Sequence, residues 1–166
     1  MKRRLYIIRH GKSDWDNAEL PDIERPLAPR GIRNAGEMAQ RLTNAGLVPR
    51  RIYSSPAVRA LSTARIMAGH WDLGDDDLDV IGTLYMAWEE EIYEVLAQAA
   101  PELTDLAIFG HNPSFTHFAN DFLDVSIDNL PTAGVVIITF ECATWADISR
   151  PNVVEAVVDY PKKKSS

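Results

Sequence analysis

A single cysteine, Cys142, among 166 residues allows neither an internal disulfide nor a cysteine-based zinc site, so it reads as a small apolar side chain in a strand. No apolar run approaches the length of a membrane span. The start, Met1-Lys2-Arg3-Arg4, is followed by only four apolar residues before Arg9, short of the roughly 7–15-residue core of a signal peptide, and a cytoplasmic location is expected. Positive charge is in deficit, with 17 Lys and Arg against 24 Asp and Glu. The resulting net charge of -7 disfavours nucleic acid or an anionic membrane as partner and makes any local cluster of cations informative. A disorder signature is missing too: 46% apolar and 25% charged residues describe a globular chain. Its length suits one domain that buries roughly 70% of its unfolded surface.

What is present is a repeated layout of apolar run, polar residue and capped helix. Leu5-Tyr6-Ile7-Ile8 runs straight into Arg9-His10-Gly11, a buried strand that ends on an arginine and a histidine. Pro21, Pro26 and Pro29 rule out regular structure in the next stretch. From Pro29 to Ala45 the positions Ile32, Ala35, Gly36, Ala39 and Leu42 form the inward stripe of a helix, with Gly46 as its C′ residue. Arg51 to Ser54 is a short strand. Ser55 and Pro56 read as N-cap and first residue of a second helix that carries Leu61, Ala64, Ile66 and Met67 inward and ends at Gly69. Arg59 falls in its first turn, where a cation opposes the macrodipole and points to a bound anion. Asp79 to Thr83 is a weak strand. Trp88 to Ala100 is a third helix with Ile92, Val95, Leu96 and Ala99 inward, and the Glu89-Glu90-Glu91 run complements its dipole. Asp105 to Phe109 is a strand followed by Gly110-His111-Asn112-Pro113, with Asn112 as N-cap of a helix to about Phe122. Val135 to Phe140 and Val153 to Val158 are joined too closely for a crossover helix and are expected to be antiparallel. The domain is placed at residues 1–160, and residues 161–166 at a disordered basic tail.

Two strand ends therefore deliver Arg9-His10 and His111, and a helix start delivers Arg59. If the strands are parallel neighbours, the four converge at one rim of the sheet, beside helix N-termini that favour anions. Two guanidiniums and two imidazoles around an anion site suit phosphate, because the arginine fork matches its oxygens and imidazole can accept a phosphoryl group. His70 reads as a helix-end residue, His117 as a partly buried neutral ring, and Trp71, Trp88 and Trp145 as core or rim aromatics. A metal site on His10, His70, His111 and His117 lacks ligand spacing, since His111 and His117 are six apart.

Arg9-His10-Gly11, the segment from Ser54 through Arg59 to Thr63-Ala64, and Gly110-His111-Asn112 resemble the signature segments of the histidine phosphatase superfamily, which includes cofactor-dependent phosphoglycerate mutase. Arg25-Pro26-Leu27 with Gly31 and Ala35 is similar to another segment of that family, and the likeness runs from about residue 4 to 140. The resemblance implies a three-layer α/β/α sandwich with a mainly parallel central sheet, phosphoglycerate mutase-like. It implies that His10 is the nucleophile, that Arg9 and Arg59 hold the phosphoryl oxygens, and that His111, as an imidazolium, donates to the same group. Gly11, Lys12, Ser13 and Asn112 complete the expected substrate-binding set, and Thr132-Ala133-Gly134 is a further source of a backbone amide. Neither metal nor cofactor is implied.

Only about fifty residues separate Arg59 from His111, which leaves no room for the lid of larger members and resembles the SixA-type phosphohistidine phosphatases. Larger members also carry an acid near the position of Leu84, whereas this chain reads Leu84-Tyr85-Met86-Ala87. An alkoxide leaving group needs that acid; an imidazole, with a pKa of about 6.5, needs it much less. The expected partner is thus a protein carrying phosphohistidine. The alternatives are a phosphatase for small phosphate monoesters such as sugar phosphates, using Asp14, Glu24 or one of Glu89 to Glu91 as acid, and a non-catalytic module that binds phosphate or phosphohistidine.

Overall fold

Strand β1 (Lys2–Arg9) lies at the heart of a six-stranded sheet, because neighbouring residues of a strand face opposite ways and both of its faces are covered. Leu5 and Ile7 enter one core with Ile92, Leu96, Phe115 and Phe118, while Tyr6 and Ile8 enter a second core with Ala35, Met38, Ala64 and Met67. The computed structural model describes residues 1–162. Of the expected tail, 163–166 lie outside the described residues, and the Pro161 carbonyl is held by Arg41 at 3.3 Å.

Strands β2 (Arg51–Ser54), β3 (Leu78–Val80), β4 (Asp105–Gly110), β5 (Val135–Glu141) and β6 (Val153–Asp159) complete the sheet in the order β3-β2-β4-β1-β5-β6. The first four in that order are parallel, and β5 and β6 run antiparallel, as their short connection requires. Helices α1 (Pro29–Asn44) and α2 (Val58–His70) cover one face; α3 (Glu89–Ala97) and α4 (Ser114–Asn120) cover the other. The expected three-layer α/β/α arrangement with a mainly parallel sheet is the observed one.

Differences from the expected elements have local causes. Helix α1 buries Gly31, Ala35, Met38, Ala39 and Leu42, while Ile32, expected inward, is 51% exposed. The reason is a crossing of two backbones: a Cβ on Gly31 would overlap the Lys12 carbonyl, and one on Gly11 would meet the Gly31 oxygen at 2.9 Å. That approach presses Gly31 against the loop after β1 and turns Ile32 to solvent. We expect Gly31→Ala to lower unfolding stability by about 1–3 kcal/mol, as overpacking does, and to displace that loop. Urea denaturation checks this, and a variant as stable as the wild type would contradict it. Ser55 was expected to cap α2, which begins three residues later; its Oγ instead accepts the Ala57 amide at 3.1 Å, and Arg59 remains in the first turn. Helix α4 likewise starts at Ser114, and Asn112 turns its side chain elsewhere.

Candidate active site

Parallel register brings the functional residues together. Arg9 pairs with Gly110 across β1 and β4, so His10 follows beside His111; the His10 amide donates to the Gly110 carbonyl at 3.2 Å. Ser54 pairs with Phe109 across β2 and β4, and the Ser55 amide donates to the Phe109 carbonyl at 3.0 Å. Three strands thus stop in step. Strand β5 runs the other way and begins where β1 ends, which closes the site with the loop before it. There the Ala133 amide donates to the Arg9 and His10 carbonyls at 3.1 and 3.0 Å.

The imidazoles of His10 and His111 lie 5.1 Å apart between ring centres, and each residue is more than nine-tenths buried. His10 Nδ1 is 2.7 Å from the Gly11 carbonyl, which can only accept, so that nitrogen carries the hydrogen and Nε2 keeps a free lone pair. Gly11 is held in turn, its amide donating to Thr63 Oγ1 at 2.9 Å, while the Thr63 hydroxyl donates to the Arg59 carbonyl at 2.7 Å. His111 Nε2 lies 2.8 Å from Ser55 Oγ, and its Nδ1 is buried without a partner.

Burial pushes His10 down to about 4, aided by Arg59 and Arg9. Burial, then His10 and Arg59, pushes His111 down to about 3. His111 was expected as an imidazolium; its burial beside His10 and Arg59, offset only by Asp22, instead favours the neutral ring. A stability effect follows. In the unfolded chain both rings titrate near 6.5 and bind protons that the native state refuses, so stability falls as pH drops from about 6.5 towards 4. His10 alone accounts for on the order of 3 kcal/mol, at about 1.4 kcal/mol per pKa unit. The double variant His10→Gln, His111→Asn should therefore unfold at a lower pH than the wild type in an acid titration followed by circular dichroism. An unchanged midpoint would refute the buried neutral pair.

Arg9 is anchored through Nη1 to the Leu130 carbonyl at 3.0 Å, with its Nε buried and unpartnered. Arg59 is engaged by a residue the sequence did not single out. Its Nη1 donates to the Asp22 carbonyl at 2.7 Å and its Nη2 to Asp22 Oδ2 at 2.9 Å, and the Tyr85 hydroxyl donates to the same Oδ2 at 2.8 Å. The Tyr85 bond, then Arg59, holds the Asp22 carboxyl below the usual range, so it stays ionised. Asp22 sits in a 3-10 turn (Asp22–Glu24) of the proline-rich loop, 37 residues before Arg59, and no local pattern links the two. Thr63, which the sequence marked as part of the segment that carries Arg59, lies four residues after it on the same side of α2.

Arg9, His10, Lys12, Ser13, Arg59, His111 and Asn112 all line one cavity of about 260 Å³. Gly11 acts on it through its carbonyl. Asn112 spends its amide hydrogens on Asn129 Oδ1 and the Leu130 carbonyl, both at 2.9 Å, and its Oδ1 accepts from Thr116 at 2.8 Å. It thus braces the carbonyl that anchors Arg9. In the 132–134 stretch the Ala133 and Gly134 amides are consumed within the backbone. Asp14, Glu24 and Glu91 line neither this cavity nor the larger one beside it, whereas Glu89 and Glu90 line the latter. The cavity can hold a tetrahedral anion between two guanidiniums, with a neutral imidazole free to attack it. Among the described residues no helix is long and apolar enough to cross a membrane.

Comparison with known proteins agrees with this geometry. Residues 5–108 match the histidine phosphatase superfamily (branch 1). An uncharacterised chloroplastic protein of Arabidopsis thaliana is 26% identical over 155 residues, covering 89% of this chain and 71% of its own. A candidate phosphohistidine phosphatase SixA from Nakamurella multipartita superposes with a TM-score of 0.80 at 19% identity, covering 98% of both chains. A protein histidine phosphatase SixA complexed with tungstate superposes with a TM-score of 0.75 at 18% identity, covering 95% of this chain and 97% of that one. With the family pattern spanning the strands and helices that carry Arg9, His10 and Arg59, the chain belongs to the histidine phosphatase superfamily, branch 1, and is a phosphatase.

Proposed function

We propose that the protein removes phosphate from phosphohistidine on another protein, through a phosphorylated His10. His10 Nε2 attacks phosphorus while the bond from phosphorus to the substrate ring, protonated on its other nitrogen, breaks, so that the ring departs as neutral imidazole. A water molecule then attacks the phosphorus on His10, releasing inorganic phosphate and restoring the neutral ring. Arg9 and Arg59 balance the charge that builds on the phosphoryl oxygens, and His111 Nδ1 is the ring atom left to serve them. The tungstate in the SixA relative is a tetrahedral oxyanion like the phosphoryl group, which supports the reading.

The observation that carries the choice of substrate is the state of Asp22. It is the carboxyl in contact with the cationic cluster, and Tyr85 and Arg59 keep it ionised, so it is a poor proton donor. A leaving alkoxide needs such a donor, whereas a phosphohistidine ring protonated on its free nitrogen, which happens at a pKa of about 6.5, departs as neutral imidazole without one. One observation favours the rival substrate class, small phosphate monoesters. Glu89 lines the adjoining cavity, and a hydrogen bond with Asp121, then burial, raises it to about 7, where it could act as the missing acid. Single-turnover cleavage of a phosphohistidine peptide beside a panel of sugar phosphates decides between them. Faster cleavage of the phosphoramidate is expected; faster cleavage of any sugar phosphate would transfer the function to the monoester reading.

A further inference from the structure

The phosphate cavity opens into a second, larger one of about 530 Å³ that shares Arg59, His111 and Asn112 with it. A leaving group departing from phosphorus beside His10 and His111 has this space next to it. The walls are mostly apolar, formed by Met86, Ala87, Trp88 and Pro113, and Glu89 and Glu90 stand at the rim. Met86 and Trp88 are 76% and 75% exposed, two large apolar side chains held in water two positions apart, where single exposed residues would be unremarkable. Met86 is also held at φ 54, a conformation that costs a side-chain-bearing residue energy, so the segment is set in this shape rather than left slack.

Charge runs in opposite senses along the two cavities. The phosphate end carries Arg9, Lys12 and Arg59; in the groove Asp22 is paired with Arg59, Glu89 is only partly ionised beside Asp121, which Tyr93 holds at 2.7 Å, and Glu90 stands as the full negative charge. Among the described residues no basic side chain forms an ion pair with Glu89, Glu90 or Asp121. The His111 ring, 8% exposed and with Nδ1 unpartnered, stands where the two meet. Such a groove repels an anionic leaving group and favours one that is apolar and cationic. Exposed tryptophan flanked by unpaired charge is also the composition of protein contact sites, where aromatic anchors supply affinity and charge supplies selectivity.

We propose that this groove seats the polypeptide next to the phosphohistidine of a protein substrate, placing an apolar side chain against Met86 and Trp88 and a lysine or arginine against Glu90. The inference rests on the phosphohistidine phosphatase reading above. It makes sequence selection a property of the segment that runs from β3 into the first turn of α3, separate from the residues that handle phosphate.

The test compares kcat/KM of the wild type, Trp88→Ala and Glu90→Lys on three probes: phosphoramidate itself, a phosphohistidine peptide flanked by leucine and lysine, and one flanked by serine and glutamate. The wild type should prefer the basic, apolar peptide about tenfold or more. Both variants should lose most of that preference while cleaving phosphoramidate at the wild-type rate, which also verifies their fold. Equal use of the two peptides by an enzyme that cleaves phosphoramidate overturns the docking proposal alone, as does a preference that survives both substitutions. A wild type that cleaves none of the three probes overturns the phosphohistidine reading and the docking proposal with it.

Discussion

His10→Ala should lower kcat/KM for phosphohistidine cleavage by about 10⁴-fold or more and abolish the acid-labile phosphoprotein seen on rapid quenching. The size follows from how completely the site is built around one atom. The Gly11 carbonyl fixes the hydrogen on Nδ1, burial keeps the ring neutral at physiological pH, and Nε2 is left with its lone pair at the mouth of a cavity lined by Arg9 and Arg59. No neighbour can take over. His111 has its Nε2 engaged with Ser55 Oγ at 2.8 Å, so that nitrogen is not free to attack phosphorus. Turnover within tenfold of the wild type would remove His10 from the nucleophile role. Unchanged phosphate binding with no turnover in either protein would instead support a binding module.

Arg59→Lys should cost about 10²–10³-fold in kcat/KM, although the charge is conserved. The Arg59 side chain is nearly buried, and its two Nη atoms already address two oxygens of Asp22 at 2.7 and 2.9 Å. A phosphoryl group held by Arg59 shares that guanidinium with Asp22. The planar fork can hold two oxygens at once, which a single ammonium cannot reproduce. Lysine at this position would keep one of the two contacts with Asp22 and lose the paired geometry that phosphate uses. A steady-state comparison on one phosphoramidate is sufficient, and a loss smaller than tenfold would mean that Arg59 supplies only bulk charge.

The arginines and histidines that line the cavity at the strand ends were readable because each stands next to strong punctuation. Arg9 and His10 end an unbroken apolar run, His111 follows a second run and a glycine, and Arg59 occupies the first turn of a helix announced by Ser55 and Pro56. Local order suffices for such positions, since parallel strands of similar length that enter one sheet must present their ends on one side. The helix stripe of α1 was nearly legible and was misplaced by one residue at Ile32, because what rotates the helix is a backbone contact between Gly31 and Lys12 that hydrophobic spacing does not encode. Asn112 shows a similar limit: as a residue type it suits a cap or a ligand contact, yet its partners are Asn129, Leu130 and Thr116.

The sequence by itself determined the α/β class, the strands that matter and the identity of the arginines and histidines at their ends. These follow from apolar periodicity, from proline and glycine, and from the order of three short motifs. Only the tertiary structure decided the protonation and partners of those groups. Burial lowers the pKa of both histidines, the Gly11 carbonyl fixes the hydrogen on His10 Nδ1, and a loop 37 residues away lays Asp22 on Arg59. Such properties depend on distances between segments remote in the chain and on how far water is excluded from them, and a linear pattern contains neither.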